Sequence, residues 1–190
     1  MPLDPILVSR CIDGLWIFWG ICWFVLAFGT KRTIYRQSRR SRLLYLGIAV
    51  VAVLIESHLV NRTYQFFDET FWTQIVGLAL CGAGIAIALW ARRFLGSNWS
   101  GLITLKENHE LIRAGPYRFV RHPIYSGLIL AAAGTVIAAH PTARGVLIFL
   151  LVAVGLKLKS LREEKILIPE FPEDYPRYQR EVKALIPFVW

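Results

Sequence analysis

Between Gly115 and Gly127 the chain reads GPYRFVRHPIYSG, and nine consecutive residues of it hold Tyr117, Arg118, Arg121, His122 and Tyr125. Two fixed cations, an imidazole and two phenols at that density offer donors for a carboxylate or a phosphate. An opposite set stands further on, in LREEKIL, where the adjacent acids Glu163 and Glu164 offer acceptors for an ammonium or another cation. Blander readings exist for both sets. Basic residues at the mouth of an apolar segment set membrane orientation, and Glu163 lies four residues after Lys159, the spacing of an ordinary helical ion pair. Neither requires a His-Pro followed by Tyr and Gly, nor two acids side by side in a basic stretch.

The elements that would position these groups are apolar runs. The chain has 190 residues, of which 55% are hydrophobic and only 18% charged, with a mean hydropathy of +0.46. That is more apolar than soluble domains run, so the chain reads as an all-α integral membrane protein. Five runs approach the roughly 20 residues that hydrocarbon demands: 14–30, 43–60, 71–91, 123–139 and 143–161. Only His140-Pro141-Thr142 separates the last two, which predicts a tight C-terminal helical hairpin followed by a cytoplasmic tail. The division expected is N-terminal transmembrane spans over 1–70 and a core with the chemistry over 71–190.

Charge gives the orientation. The loop 31–42 carries six Lys/Arg, the segment 92–122 six and the tail from Lys157 seven, against only Arg10, Arg62 and Arg144 on the alternate side. Nineteen against three puts the N-terminus outside and the tail in the cytoplasm. The net charge of +9 is thus spent on membrane flanks, and no basic tract beyond them suggests nucleic acid. Cys11, Cys22 and Cys81 form neither a disulfide framework nor a metal pattern.

Three further features are legible. Trp16, Trp19 and Trp23 share a helical face, expected to meet lipid or the interface. Glu56 and His58 are costly groups inside the second run, assigned to interfacial or packing roles. In the third run, Gly77 with Cys81, Ala79 with Ala83, and Gly84 with Ala88 place small residues four apart, which permits close helix approach. The segment 166–190 reads as a short amphipathic tail with Tyr175, Tyr178, Val182 and Leu185 on its apolar side, seated at the membrane surface.

In an antiparallel hairpin with both ends cytoplasmic, the Arg121–His122–Tyr125 cluster and the Glu163–Glu164 pair must lie near each other. A zwitterion with an aromatic part suits them jointly, and S-adenosylmethionine, with carboxylate, ammonium, sulfonium and adenine, is such a molecule. A nucleotide suits them less, because its phosphates would meet two carboxylates, and the chain has neither a GxGxxG after a strand nor a Walker-type loop.

The same residues carry a resemblance. GPYRFVRHPIYSG, a helical hairpin, LREEKIL and EDYPRYQREVKALIPF together resemble the isoprenylcysteine carboxyl methyltransferase family, and the wider group of membrane methyltransferases that includes phospholipid N-methyltransferases. The match covers roughly residues 90–190, and Phe171-Pro172 stands where a Phe-Gly is more usual. The resemblance implies a helical membrane enzyme that encloses S-adenosylmethionine in its cytoplasmic C-terminal half and takes a lipophilic or lipidated substrate from the bilayer. Carried over by position, it implies a cofactor shell of His109, Leu111, Gly115, Tyr117, Arg121, His122, Tyr125, Glu163 and Glu164.

Methyl transfer is an in-line displacement, so alignment and exclusion of water do most of the work. A carboxylate acceptor is already ionised and needs only a cation to hold it, for which Arg121 is the first choice and Arg118 the second. An amine acceptor must lose a proton, which would give Glu163, Glu164 or His122 a base role. A nicotinamide-dependent membrane reductase and a non-enzymatic membrane scaffold remain as rival readings of the same spans.

Overall fold

The structure is a computed structural model that describes residues 1–28, 33–36, 47, 66–98, 104–106, 110–139 and 141–187. Its elements run α1 (Pro5–Val25), β1 (Thr33–Arg36), α2 (Phe71–Leu95), β2 (Thr104–Lys106), α3 (Pro123–Ala139), α4 (Ala143–Glu170) and α5 (Asp174–Glu181), with 3-10 turns at Gly96–Asn98 and Gly115–Arg118. The predicted second span, with Glu56 and His58, lies outside the described residues. Among the described residues helices occupy the other four predicted runs, with one addition. β1 and β2 pair antiparallel, Tyr35 opposite Leu105, with an irregularity between Thr33 and Tyr35.

Helix starts are set by local caps. Asp4 accepts from the Ile6 amide at 2.9 Å and Pro5 occupies the first turn, so α1 begins nine residues before the apolar run that predicts it. Thr70 and Thr73 cap α2 reciprocally, and Thr142 accepts from the Gly145 amide to open α4. Pro5–Val25 and Phe71–Leu95 are long and apolar enough to cross a membrane, and Pro123–Ala139 is a shorter apolar helix. The 28 residues of α4 reach about 42 Å. The helix therefore runs past its apolar part and carries Glu163 and Glu164 on its emerging end.

The tightest contact is between α2 and α3. A Cβ added at Gly84 would stand 2.4 Å from the Gly127 carbonyl oxygen, and one at Gly77 would stand 2.5 Å from the Ala138 nitrogen. The two backbones touch without side chains between them, on a face made by Gly77, Cys81, Gly84 and Ala88 against Gly127, Ala131, Gly134 and Ala138. Ala79 and Ala83, the other predicted small pair, are exposed.

The tryptophan face of α1 turns inward rather than to lipid. Trp16 donates from Nε1 to Thr135 Oγ1 at 3.0 Å, and Trp19 packs against Cys81, Ile85 and Ala131. Its outward face is apolar but free of tryptophan, with Ile17, Phe18, Ile21 and Phe24 exposed. A bulky indole fills the gap left where small residues line α2 and α3, which is the reason it is half-buried there.

Candidate functional site

Pro123 opens α3 at its first position, so the two residues before it, Arg121 and His122, sit at the helix mouth with their backbone amides free of helical bonds. The C-terminal segment supplies the partners: Arg121 N donates to the Lys183 carbonyl at 2.8 Å and His122 N to the Ala184 carbonyl at 3.0 Å. Ser126 Oγ donates to the Leu185 carbonyl. The tail is therefore folded onto the protein, and the tyrosine side that the sequence assigns to the membrane surface is buried against it. Tyr175 and Tyr178 are 1% and 2% exposed, and the Tyr178 hydroxyl donates to the Tyr117 carbonyl. Phe188, Val189 and Trp190 lie outside the described residues.

Between tail and hairpin the two charge sets meet. Glu164 Oε1 accepts from Arg121 Nε at 3.0 Å and Nη2 at 2.8 Å, and lies 3.0 Å from His122 Nε2. Glu164 Oε2 accepts from Gln179 Nε2 at 2.9 Å. Arg121 Nη1 reaches the carbonyls of Gln179 and Val182. The neighbouring acid is placed differently. Glu163 Oε1 accepts the Tyr125 hydroxyl, while Oε2 stands 3.6 Å from His122 Nδ1. The His122 and Tyr125 rings lie parallel, centroids 5.5 Å apart, and Lys159 Nζ stands 5.3 Å from the Tyr125 centroid.

Burial alone would raise the Glu164 carboxyl, but the hydrogen bond and charge of His122, then Arg121, outweigh it and hold its pKa down at about 2. Burial also works against a charged His122, yet Glu163 and Glu164 hold the imidazole above its ordinary value. Glu163, equally penalised by burial, is kept below the usual carboxylate range by His122, Lys159 and Tyr125. Burial pushes the Tyr117, Tyr175 and Tyr178 phenols up, so all three stay protonated. The site is thus a largely buried cluster in which the basic groups Arg121 and His122 face the acids Glu163 and Glu164.

Of the residues the sequence singles out, Arg121, His122, Tyr125, Glu163 and Glu164 come together. Tyr117 is buried beside them, its hydroxyl 3.5 Å from the Ala91 carbonyl in α2. Gly115 has φ +60°, and a Cβ there would stand 2.6 Å from the Phe94 ring. Leu111 is half-buried in the segment leading to that turn. Arg118 is not brought in: it is exposed, its guanidinium 4.6 Å from the Phe119 ring centroid. His109 lies outside the described residues. Sequence reasoning missed Gln179 and the carbonyls of Val182, Lys183 and Ala184. Only Gln179 left a trace, at the helical spacing from Tyr175 that puts it on the inner side of α5.

Residues 75–169, half of the chain, match the model of the isoprenylcysteine carboxyl methyltransferase (ICMT) family. The chain is 28% identical over 146 residues to the protein-S-isoprenylcysteine O-methyltransferase of Tribolium castaneum, across 75% of this chain and 51% of that relative. It is also 27% identical over 154 residues to the steroid 5-alpha-reductase DET2 of Solanum lycopersicum, across 76% of this chain and 57% of that protein. The solved structure of the eukaryotic intramembrane Ras methyltransferase ICMT shares the fold, with a TM-score of 0.55 and 24% identity over 82% of this chain and 55% of that one. The chain spans about half the length of these relatives.

Proposed function

This chain belongs to the isoprenylcysteine carboxyl methyltransferase family, and from that premise we propose that it is an integral membrane methyltransferase acting on a lipophilic carboxylate, such as a prenylcysteine-type C-terminus, with S-adenosylmethionine as methyl donor. The observation that carries this reading is the cluster of Arg121, His122, Glu163 and Glu164, buried charge gathered where an apolar helical hairpin ends.

The chemistry of the donor set suits the cofactor. Glu163 Oε2, 3.6 Å from its nearest partner His122 Nδ1, retains lone-pair capacity for an ammonium or sulfonium. Arg121 has four of its five N–H groups engaged, which leaves one for a carboxylate. Tyr117, Tyr125, Gly115, Leu111 and His109 complete the shell we assign to it. When bound, S-adenosylmethionine supplies a sulfonium-activated methyl group. The chain's own part is to align and to keep dry. Buried aromatic and aliphatic side chains around Tyr125, namely Tyr117, Ile124, Ala184 and Leu185, exclude water from the reacting end. No proton needs to move for a carboxylate acceptor. Glu164, held at about 2, is too weak a base to take one from an amine.

The core over 71–190 is assigned to the chemistry and the segment 1–70 to anchoring. The charge bias supports a cytoplasmic site and C-terminus with the N-terminus outside. Tags at the C-terminus and within 31–42 should be protected in sealed right-side-out vesicles, and a tag before Asp4 accessible; the reverse labelling would overturn the orientation.

The deciding experiment is methyl transfer from labelled S-adenosylmethionine to a prenylcysteine and to membrane extracts, followed by mild alkali. A carboxyl methyl ester releases volatile methanol, whereas an N-methyl group stays on the product. Label that resists alkali would move the acceptor to the amine class. Oxidation of a reduced nicotinamide without methyl transfer would favour the reductase relatives instead.

A further inference from the structure

The two adjacent acids share His122, one at each ring nitrogen, but differ in how fully they are bonded. Glu164 is saturated: three donors from Arg121 and His122 converge on Oε1 and Gln179 takes Oε2. Its side chain is 10% exposed, and its partners come from the mouth of α3 and from α5. Glu163 accepts one short bond, from Tyr125, and its side chain is 23% exposed. An acid with four close donors has no acceptor capacity to give a ligand, whereas one with a single close donor and a looser contact to His122 does.

We infer that the pair divides its work: Glu164 with Gln179 is a positioning clasp that holds the C-terminal segment over the hairpin, and Glu163 is the acid that meets the ligand's cation. Gln179 is then a positioning residue for the reaction, acting through Glu164. The clasp is built from three separate stretches of chain. Arg121 and His122 tie Glu164 to the backbone carbonyls of Lys183 and Ala184, and Gln179 ties it to α5 from the other side. Only the ligand assignment of Glu163 rests on the proposed function; the clasp stands apart from it.

The test uses the full chain in lipid nanodiscs, with two readouts. The first is limited trypsin digestion without ligand, because Arg177, Arg180 and Lys183 put cleavage sites inside the clasped segment. Gln179→Leu and Glu164→Gln should release the tail several-fold faster than the parent, and Glu163→Gln should leave the rate unchanged. The second is S-adenosylmethionine binding by calorimetry. Glu163→Gln should weaken it at least tenfold, while Gln179→Leu should raise KM for the methyl donor and spare kcat at saturation. Gln179→Leu sits on a half-buried residue, so it reports even if Glu164→Gln fails to fold. A tail as resistant in Gln179→Leu as in the parent, or one loosened equally by Glu163→Gln, overturns the division of roles. A parent that does not bind S-adenosylmethionine would instead sink the proposed function, with the digestion still deciding the clasp.

Discussion

Arg121 gives both its Nε and an Nη2 hydrogen to a single oxygen of Glu164, at 3.0 and 2.8 Å. The remaining nitrogen, Nη1, faces the other way, to the carbonyls of Gln179 and Val182. One guanidinium thus bridges α4 and the tail. Its planar fork is what makes that possible, since an ammonium is a point donor. Arg121→Lys should keep the charge yet lose tail contacts along with turnover. Lost charge-assisted bonds cost roughly 1.5–3 kcal/mol each, so S-adenosylmethionine affinity and single-turnover rate should fall together. A variant that binds normally and only reacts slowly would restore Arg121 to the acceptor side of the site. Arg118→Gln, changed at the exposed face, should stay within about twofold of the parent, in line with ordinary surface substitutions.

Stability should have an optimum in mildly acid buffer. The Glu164 pKa falls from 4.5 to about 2 on folding, so its contribution is present above 4.5 and disappears as pH drops through 2. His122 moves the other way, upward from 6.5, so its contribution is complete below 6.5 and lost as pH climbs through the folded value. Both are in force between 4.5 and 6.5. Tm measured across pH should peak there, and His122→Gln should flatten the alkaline side. An alkaline flank unchanged in His122→Gln would show that another group governs it.

The α2–α3 contact makes a sharp prediction about glycine. Gly84→Ala puts a methyl 2.4 Å from backbone atoms of Gly127 and Ala131, which no rotamer change relieves. Overpacking of this kind costs about 1–3 kcal/mol or more, and yield of folded protein by size-exclusion should drop. Gly82→Ala, two residues away with nothing within 4 Å, should be tolerated. Equal behaviour of the two variants would mean that the helices are not in backbone contact.

Tyr178→Phe should destabilise without removing a site group. It leaves the Tyr117 carbonyl unsatisfied in a buried setting, at about 1–3 kcal/mol. Tyr117→Phe, which gives up only a long 3.5 Å bond to Ala91, should cost less. Thermal denaturation of the two side by side checks the order.

How much of this was legible follows from which atoms do the work. The meeting of Arg121 and His122 with Glu163 and Glu164 was readable, because an antiparallel membrane hairpin with a short turn returns its ends to one side. The start of α1 carried a signal too, Asp4 before Pro5, but an apolar-run criterion beginning at residue 14 passes over it. The docked tail was not readable. Val182, Lys183 and Ala184 act through their carbonyls, and a carbonyl looks the same in every residue. Nor was the β1–β2 pairing: in KRTIYR the basic residues dominate the reading and hide the β-prone Thr-Ile-Tyr within it. The inward packing of Trp16 and Trp19 depended on small residues in two other helices, which a single segment's pattern does not contain.

The bare backbone contact between α2 and α3 also decides where this protein yields. Two helices that touch through Gly84 and Gly127 have no layer of rotamers to rearrange, so they move as a single plank. Tyr125, two residues from Gly127, is mounted on that plank, while Glu163 rides on α4, which packs far less extensively on α3 than α2 does. Room for the ligand we propose therefore comes from displacement of α4 or the tail. The fixed jaw carries His122 and Tyr125, and the hinged one carries the acids.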